Sequence, residues 1–167
     1  MIYKTAIQTT LYDLNRLFVK EKKASKQVFY SKLALMELCG WIEITMDNIV
    51  NCTLKKHLSN LEHIKSVQKA IRYNSNFNYE SNFKPLLTHV IGLKGVELVE
   101  KKLTQQKFVT MKAALDYLKT PRNSAAHTFI KGMTQTIDAP SVIIAKFLIL
   151  LEGFKDFVTA MKQLKFL

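Results

Sequence analysis

Arg122 and His127 are the residues whose types could do chemistry together. The chain has only three arginines, Arg16, Arg72 and Arg122, and four histidines, and one of each falls within the stretch TPRNSAAHTF, residues 120–129. Thr120 before Pro121 reads as an N-cap followed by the first position of a helix, where a missing N–H costs nothing. Such a helix start would place the amides of Arg122, Asn123 and Ser124 in its first turn, a setting that carries partial positive charge and attracts phosphate. Asn123 and His127 are four apart and share a face, while Arg122 and His127 differ by about 140° around a regular helix, a gap that a long guanidinium side chain can span. An imidazole, a guanidinium, an amide side chain and helix-end N–H groups suit cleavage of an RNA phosphodiester without a metal. The imidazole moves the proton as a 2'-hydroxyl attacks, and the cations stabilise charge developing on phosphate. Taken on spacing alone, the same residues also describe a capped helix with a surface arginine and a satisfied buried histidine.

The elements that position these residues are all helical. Apolar residues recur at helical spacing along nearly the whole chain, and no stretch alternates as a hairpin does. An all-α bundle of about five to seven helices is expected. The first helix is placed at Thr5 to Lys20, on Ile7, Leu11, Leu14, Leu17 and Phe18. After a charged connector, Glu21 to Ser25, with Ser25 as a cap, a long helix runs from Lys26 to Lys56. Its broad apolar face carries Phe29, Leu33, Met36, Leu38, Trp41, Ile44, Ile49 and Val50. A break at His57 to Asn60 precedes a shorter helix ending at Arg72. The asparagine-rich segment Tyr73 to Asn82 reads as an exposed loop. Pro85 then opens a helix that Gly92 and Gly95 allow to break before Val96 to Leu103, Gln105 to Lys119 forms another, and Asp138-Ala-Pro-Ser starts a last helix reaching Lys165. All three prolines, Pro85, Pro121 and Pro140, are expected at helix starts.

Length and composition set the frame. At 167 residues, 48% hydrophobic and 23% charged, the chain suits a single domain spanning 1–167 with a real core. The longest apolar stretch, Ser141 to Leu151, is interrupted by Lys146 and too short to span a bilayer, and the N-terminus lacks the order of a signal peptide. Cys39 and Cys52 form no Cys-x-x-Cys pair, so neither a disulfide framework nor a zinc site is indicated, and a cytoplasmic location with no cofactor or metal is expected. A net charge of +12 favours polyanionic partners, although the surplus is carried by lysines, which act as solvated point charges where arginines make bidentate contacts. Glycine-rich phosphate loops and Gly-x-Ser-x-Gly elbows are absent, which removes nucleotide-hydrolase and serine-hydrolase readings.

Arg122-Asn-Ser-Ala-Ala-His127 resembles the Arg-x4-6-His signature of the HEPN superfamily, including the polar residue directly after the arginine, here Asn123. The resemblance covers six residues as motif and most of the chain as architecture. It implies a HEPN-like helical domain acting as a metal-independent endoribonuclease, with one cleft formed across a homodimer. His127 would be the general acid/base, Arg122 would hold the scissile phosphate, and Asn123 would orient the site. Such domains serve as toxins of toxin–antitoxin pairs or as antiphage-defence effectors, so the implied partners are an RNA substrate, a second copy, and an antitoxin or defence protein. Phe129 departs from members that carry a tyrosine two residues after the histidine and are neutralised by its modification. The alternative is a catalytically silent HEPN-like dimerisation or RNA-binding module, and a further one is a basic helical protein that binds nucleic acid through lysines alone. Glu43 and Asp47, four apart on the second helix, could orient His127 or form a solvated, lysine-paired stripe. His57 and His63 read as surface residues, and Trp41 as core or dimer interface.

Overall fold

A computed structural model describes residues 2–74, 76–127 and 137–167. The chain is an all-α bundle of six helices: α1 (Thr5–Lys20), α2 (Ala24–His57), α3 (Leu61–Tyr73), α4 (Lys84–Lys102), α5 (Gln105–His127) and α6 (Pro140–Gln163), with a π-helical turn at Tyr79–Phe83 and no strand among the described residues. The long α2 is the organising element, packing against every other helix. At about 1.5 Å per residue its 34 residues span about 50 Å.

Amphipathic periodicity places the termini of α1 and α3 within a residue of the expected positions. Asn60 caps α3, its side-chain oxygen accepting from the amides of Glu62 and His63 at 2.9 and 3.3 Å. Ser25 does not cap α2. Helix formation begins two residues earlier than expected, at Ala24, with Lys23 in the extended cap position. The turn before it is organised by the Glu21 carboxylate, which accepts from the Lys22 and Lys23 amides at 3.0 Å each. On α2, Leu38, Trp41, Ile49 and Val50 are buried as expected, but Phe29 and Ile44 are 54% and 59% exposed. Trp41 belongs to the core: its indole N–H donates to the Tyr3 carbonyl at 2.8 Å, and its ring meets Phe147 edge-on with centroids 5.1 Å apart.

Between α3 and α4 the asparagine-rich stretch differs from an exposed loop, because its aromatic residues are core. Phe77, Tyr79 and Phe83 are almost wholly buried, and the Tyr79 hydroxyl donates to Glu100 at 2.9 Å. The asparagines supply the turn, Asn78 accepting from the Ser81 amide at 2.9 Å. Pro85 does open α4, and the expected break falls at Gly92, whose φ of 70° and ψ of 165° only glycine adopts cheaply. Gly153 permits close packing of α6 on α5, since a Cβ there would sit 2.7 Å from Met111 Cβ. One contiguous apolar cluster runs through α1, α2, α4, α5 and α6.

Candidate functional site

The helix start expected at Thr120–Pro121 is not there. α5 runs unbroken from Gln105 to His127 with Pro121 inside it, so the amides of Arg122, Asn123 and Ser124 lie in a helix interior and the expected anion-binding helix end does not exist. Pro121 removes the one bond its N–H would have made to the Tyr117 carbonyl. Packing outweighs that loss. Phe108, Met111, Leu115 and Leu118 form a stripe spaced alternately three and four residues apart, and Ala125, buried, continues it beyond the proline.

That stripe decides what Arg122 does, because position 122 is its next member after Leu118. A guanidinium therefore points from α5 toward the helices beneath, where an unpaired charge would be costly. α2 supplies the counter-charge. Arg122 Nη2 donates to Glu43 Oε1 at 2.9 Å, and Nη1 donates to Asn123 Oδ1 at 3.1 Å. The arginine and glutamate side chains are 22% and 31% exposed, so the pair sits at the edge of the bundle between interior and solvent. A planar fork held at two points has little rotational freedom left, which is how a cation is preorganised toward an incoming anion.

Cys39, Glu43 and Asp47 follow at four-residue intervals on the same side of α2. Burial pushes the Cys39 thiol up to about 12, with Arg122 opposing and Glu43 adding to the shift. Burial also raises the Glu43 carboxyl, and the Arg122 charge and hydrogen bond pull against it. Asp47 is raised to about 6, first by burial and then by the negative charge of Glu43. Two half-buried carboxylates and one guanidinium thus compete in a small space. Cys39 is inert at neutral pH and remains a free thiol, as does Cys52.

His127 is exposed at the last residue of α5, and on the regular helix Asn123 lies one turn before it on the same face. The structure thus brings Arg122 and Asn123 together with Glu43, and sets His127 about 7.5 Å further along the axis and about 140° around from Arg122. Phe129 lies outside the described residues. His57 and His63 are exposed as expected; His57 Nε2 is 3.2 Å from the Phe166 carbonyl oxygen, and His63 faces a surface cavity shared with His89. Among the described residues no cluster of three or more His, Cys, Asp or Glu could hold a metal ion, and no helix is long and apolar enough to cross a membrane.

The partner of Arg122 is the residue that spacing did not single out for that role. Glu43 is 79 positions away in sequence. The available signal was an arginine falling in register with Phe108, Met111, Leu115 and Leu118, a position that demands an acid across the interface. Compared with family models, curated proteins and solved structures, the chain matches none.

Proposed function

We propose that this chain is a HEPN-like, metal-independent endoribonuclease that works as a homodimer in the cytoplasm, as a toxin or antiphage-defence effector. The observation that carries this is the held guanidinium. Arg122 is braced by Glu43 and Asn123 at the solvent edge, on the same helix as an exposed imidazole. In cleavage, His127 takes the proton of the 2'-hydroxyl, the 2'-oxygen bonds to phosphorus, and the bond from phosphorus to the 5'-oxygen breaks. The leaving oxygen takes a proton from a second acid, giving a 2',3'-cyclic phosphate and a 5'-hydroxyl. Arg122 offsets the charge that builds on the phosphate oxygens. The wide angle between Arg122 and His127 around α5 favours a composite site, in which the second copy's imidazole supplies the missing acid opposite the first.

A catalytically silent dimerisation or RNA-binding module is the second reading, and the Arg122–Glu43 ion pair favours it, since a guanidinium neutralised by a carboxylate also serves as a strut between α5 and α2. The two separate in one assay. Purified protein is incubated with total RNA in chelator, beside Arg122→Ala and His127→Ala, and fragments ending in 2',3'-cyclic phosphate are counted. Cleavage by the parent chain, lost in both variants, is the expected result; cleavage that survives both substitutions rejects the site, and binding without cleavage in the parent supports the silent module.

A further inference from the structure

The outer face of α3 carries a charge pattern that neither the bundle nor the Arg122 site uses. Only Val67 and Ile71 of this helix are buried. On the side turned away from them, Lys65, Lys69 and Arg72 recur at i, i+4 and i+7, within about 60° of one another around the axis. All three are exposed, as are Lys55 and Lys56 in the last turn of α2. From Lys55 to Tyr73 the only acidic residue is Glu62.

Elsewhere the lysine surplus is partly neutralised: Lys84 is shared between Glu80 and Glu100, Lys112 pairs with Glu80, and Lys107 and Lys155 pair with Glu152. Lys56 Nζ donates to the Leu167 carbonyl oxygen at 2.9 Å. Among the described residues no ion pair involves Lys55, Lys65, Lys69 or Arg72. Compensation of the helix dipole accounts for cations at the end of α2 and for Arg72, but not for Lys65 and Lys69 in the body of α3. Beside the stripe stands Tyr73, which is 73% exposed.

We infer that this face binds single-stranded nucleic acid, with Lys65, Lys69 and Arg72 on successive phosphates and Tyr73 stacking on a base. A row of cations beside an exposed aromatic is the pairing that single strands require: charge to follow the backbone and a flat surface for bases of any sequence. A lipid surface fits less well, because the apolar side of α3 is spent on the bundle and cannot enter a bilayer. Lys56 lies about 20 Å along α2 from Glu43, so this face is separate from the Arg122 site. The inference deepens the proposed function by giving the RNA substrate a second point of attachment, and rests on that reading only for the choice of RNA.

The test uses fluorescence anisotropy in chelator with a labelled single-stranded RNA of about 12 nucleotides, 2'-O-methylated throughout so that it cannot be cleaved, across a salt series. Replacing Lys65, Lys69 and Arg72 together by glutamine is expected to lower the slope of log affinity against log salt by about 2, at about 0.7 for each phosphate that is no longer neutralised. A charge-matched control, with Lys20, Lys22 and Lys119 replaced by glutamine, is expected to leave that slope in place, and Tyr73→Ala to weaken binding at least ~5-fold. All six cations are exposed, and circular dichroism confirms the helix content of each variant. Equal slope changes in the two triple variants, absence of RNA binding, or preference for anionic vesicles over RNA each overturns the inference. Arg122→Ala and His127→Ala report on the other site. If the parent chain never cleaves RNA yet binding depends on α3, the endoribonuclease reading fails and this one stands; if cleavage depends on both residues while binding ignores α3, the reverse holds.

Discussion

Removing Glu43 tests whether its pairing with Arg122 is an energetic feature of the fold. Breaking a fully buried ion pair by deleting one partner costs about 3–5 kcal/mol, whereas exposed pairs are worth about 0–1 kcal/mol. With side chains 22% and 31% exposed, this pair lies between those limits. Glu43→Ala should therefore cost about 1.5 kcal/mol, a fall in Tm of about 3–6 °C for a chain of this size. Burial outweighs the attraction of Arg122 in setting the Glu43 carboxyl, so part of the gain from pairing is spent on desolvation, and the double-mutant coupling should be smaller, about 1 kcal/mol. The assay is urea denaturation at pH 7 of the parent, Glu43→Ala, Arg122→Ala and the double variant. The double variant should be more stable than the sum of the single losses implies, because it leaves no lone charge at the bundle edge. Single losses that add to within about 0.3 kcal/mol would refute the pairing, and with it the claim that Glu43 preorganises Arg122.

Asp47 gives a pH dependence with a definite sign. Its carboxyl is raised from 3.8 to about 6 in the folded chain, so the folded state holds a proton that the unfolded state releases, and stability falls as pH rises through that window. A shift of that size corresponds to about 3 kcal/mol, which solvent exposure reduces to about 1–2 kcal/mol. Asp47→Asn should gain that amount at pH 7.5 and nothing below about pH 4, as read from urea midpoints at both; an equal gain at both pH values would point to packing instead of charge. Gly153→Ala should cost about 1–3 kcal/mol by forcing α6 away from Met111 on α5, whereas Gly40→Ala, with open space at its Cβ, should not. Thermal melts should place His127→Ala within about 0.5 kcal/mol of the parent, since the imidazole is exposed at the end of α5, so any loss of cleavage in that variant is chemical.

The fold was legible where a helix is decided by its own residues. Ile7, Leu11 and Leu14 locate α1, Asn60 locates the start of α3, and Pro85 and Pro140 open α4 and α6. It was illegible where a local rule and a packing rule disagree. Pro121 satisfies the preference for a first-turn proline, yet the register from Phe108 to Ala125 needs one continuous helix, and a lost hydrogen bond costs less than unpacking that stripe. Tyr73 to Asn82 shows the same conflict reversed. Four asparagines do make the turn, while Phe77 and Tyr79, which composition assigns to the loop, are buried, Tyr79 meeting Phe108 of α5 and Phe157 of α6 edge-on.

The site divides along the same line. Spacing within one helix singled out Arg122, Asn123 and His127 as candidates, and spacing within another singled out Glu43 and Asp47, because i, i+4 relations depend only on helix geometry. Which of the two sets meets which depends on how α2 and α5 are rotated against each other, and that follows from the apolar residues each helix buries, among them Leu38 and Ile42 on α2 and Met111 and Leu115 on α5, more than from the polar residues themselves. Given that rotation, Arg122 has to face α2 and Glu43 has to meet it. The geometry then makes a claim that the motif alone does not: the guanidinium is committed first to the bundle, and any phosphate reaching it competes with or shares a carboxylate. A cation so held binds anions less tightly than an unpaired arginine but presents them in one orientation, a balance that suits a group needed to stabilise a transition state more than a ground state.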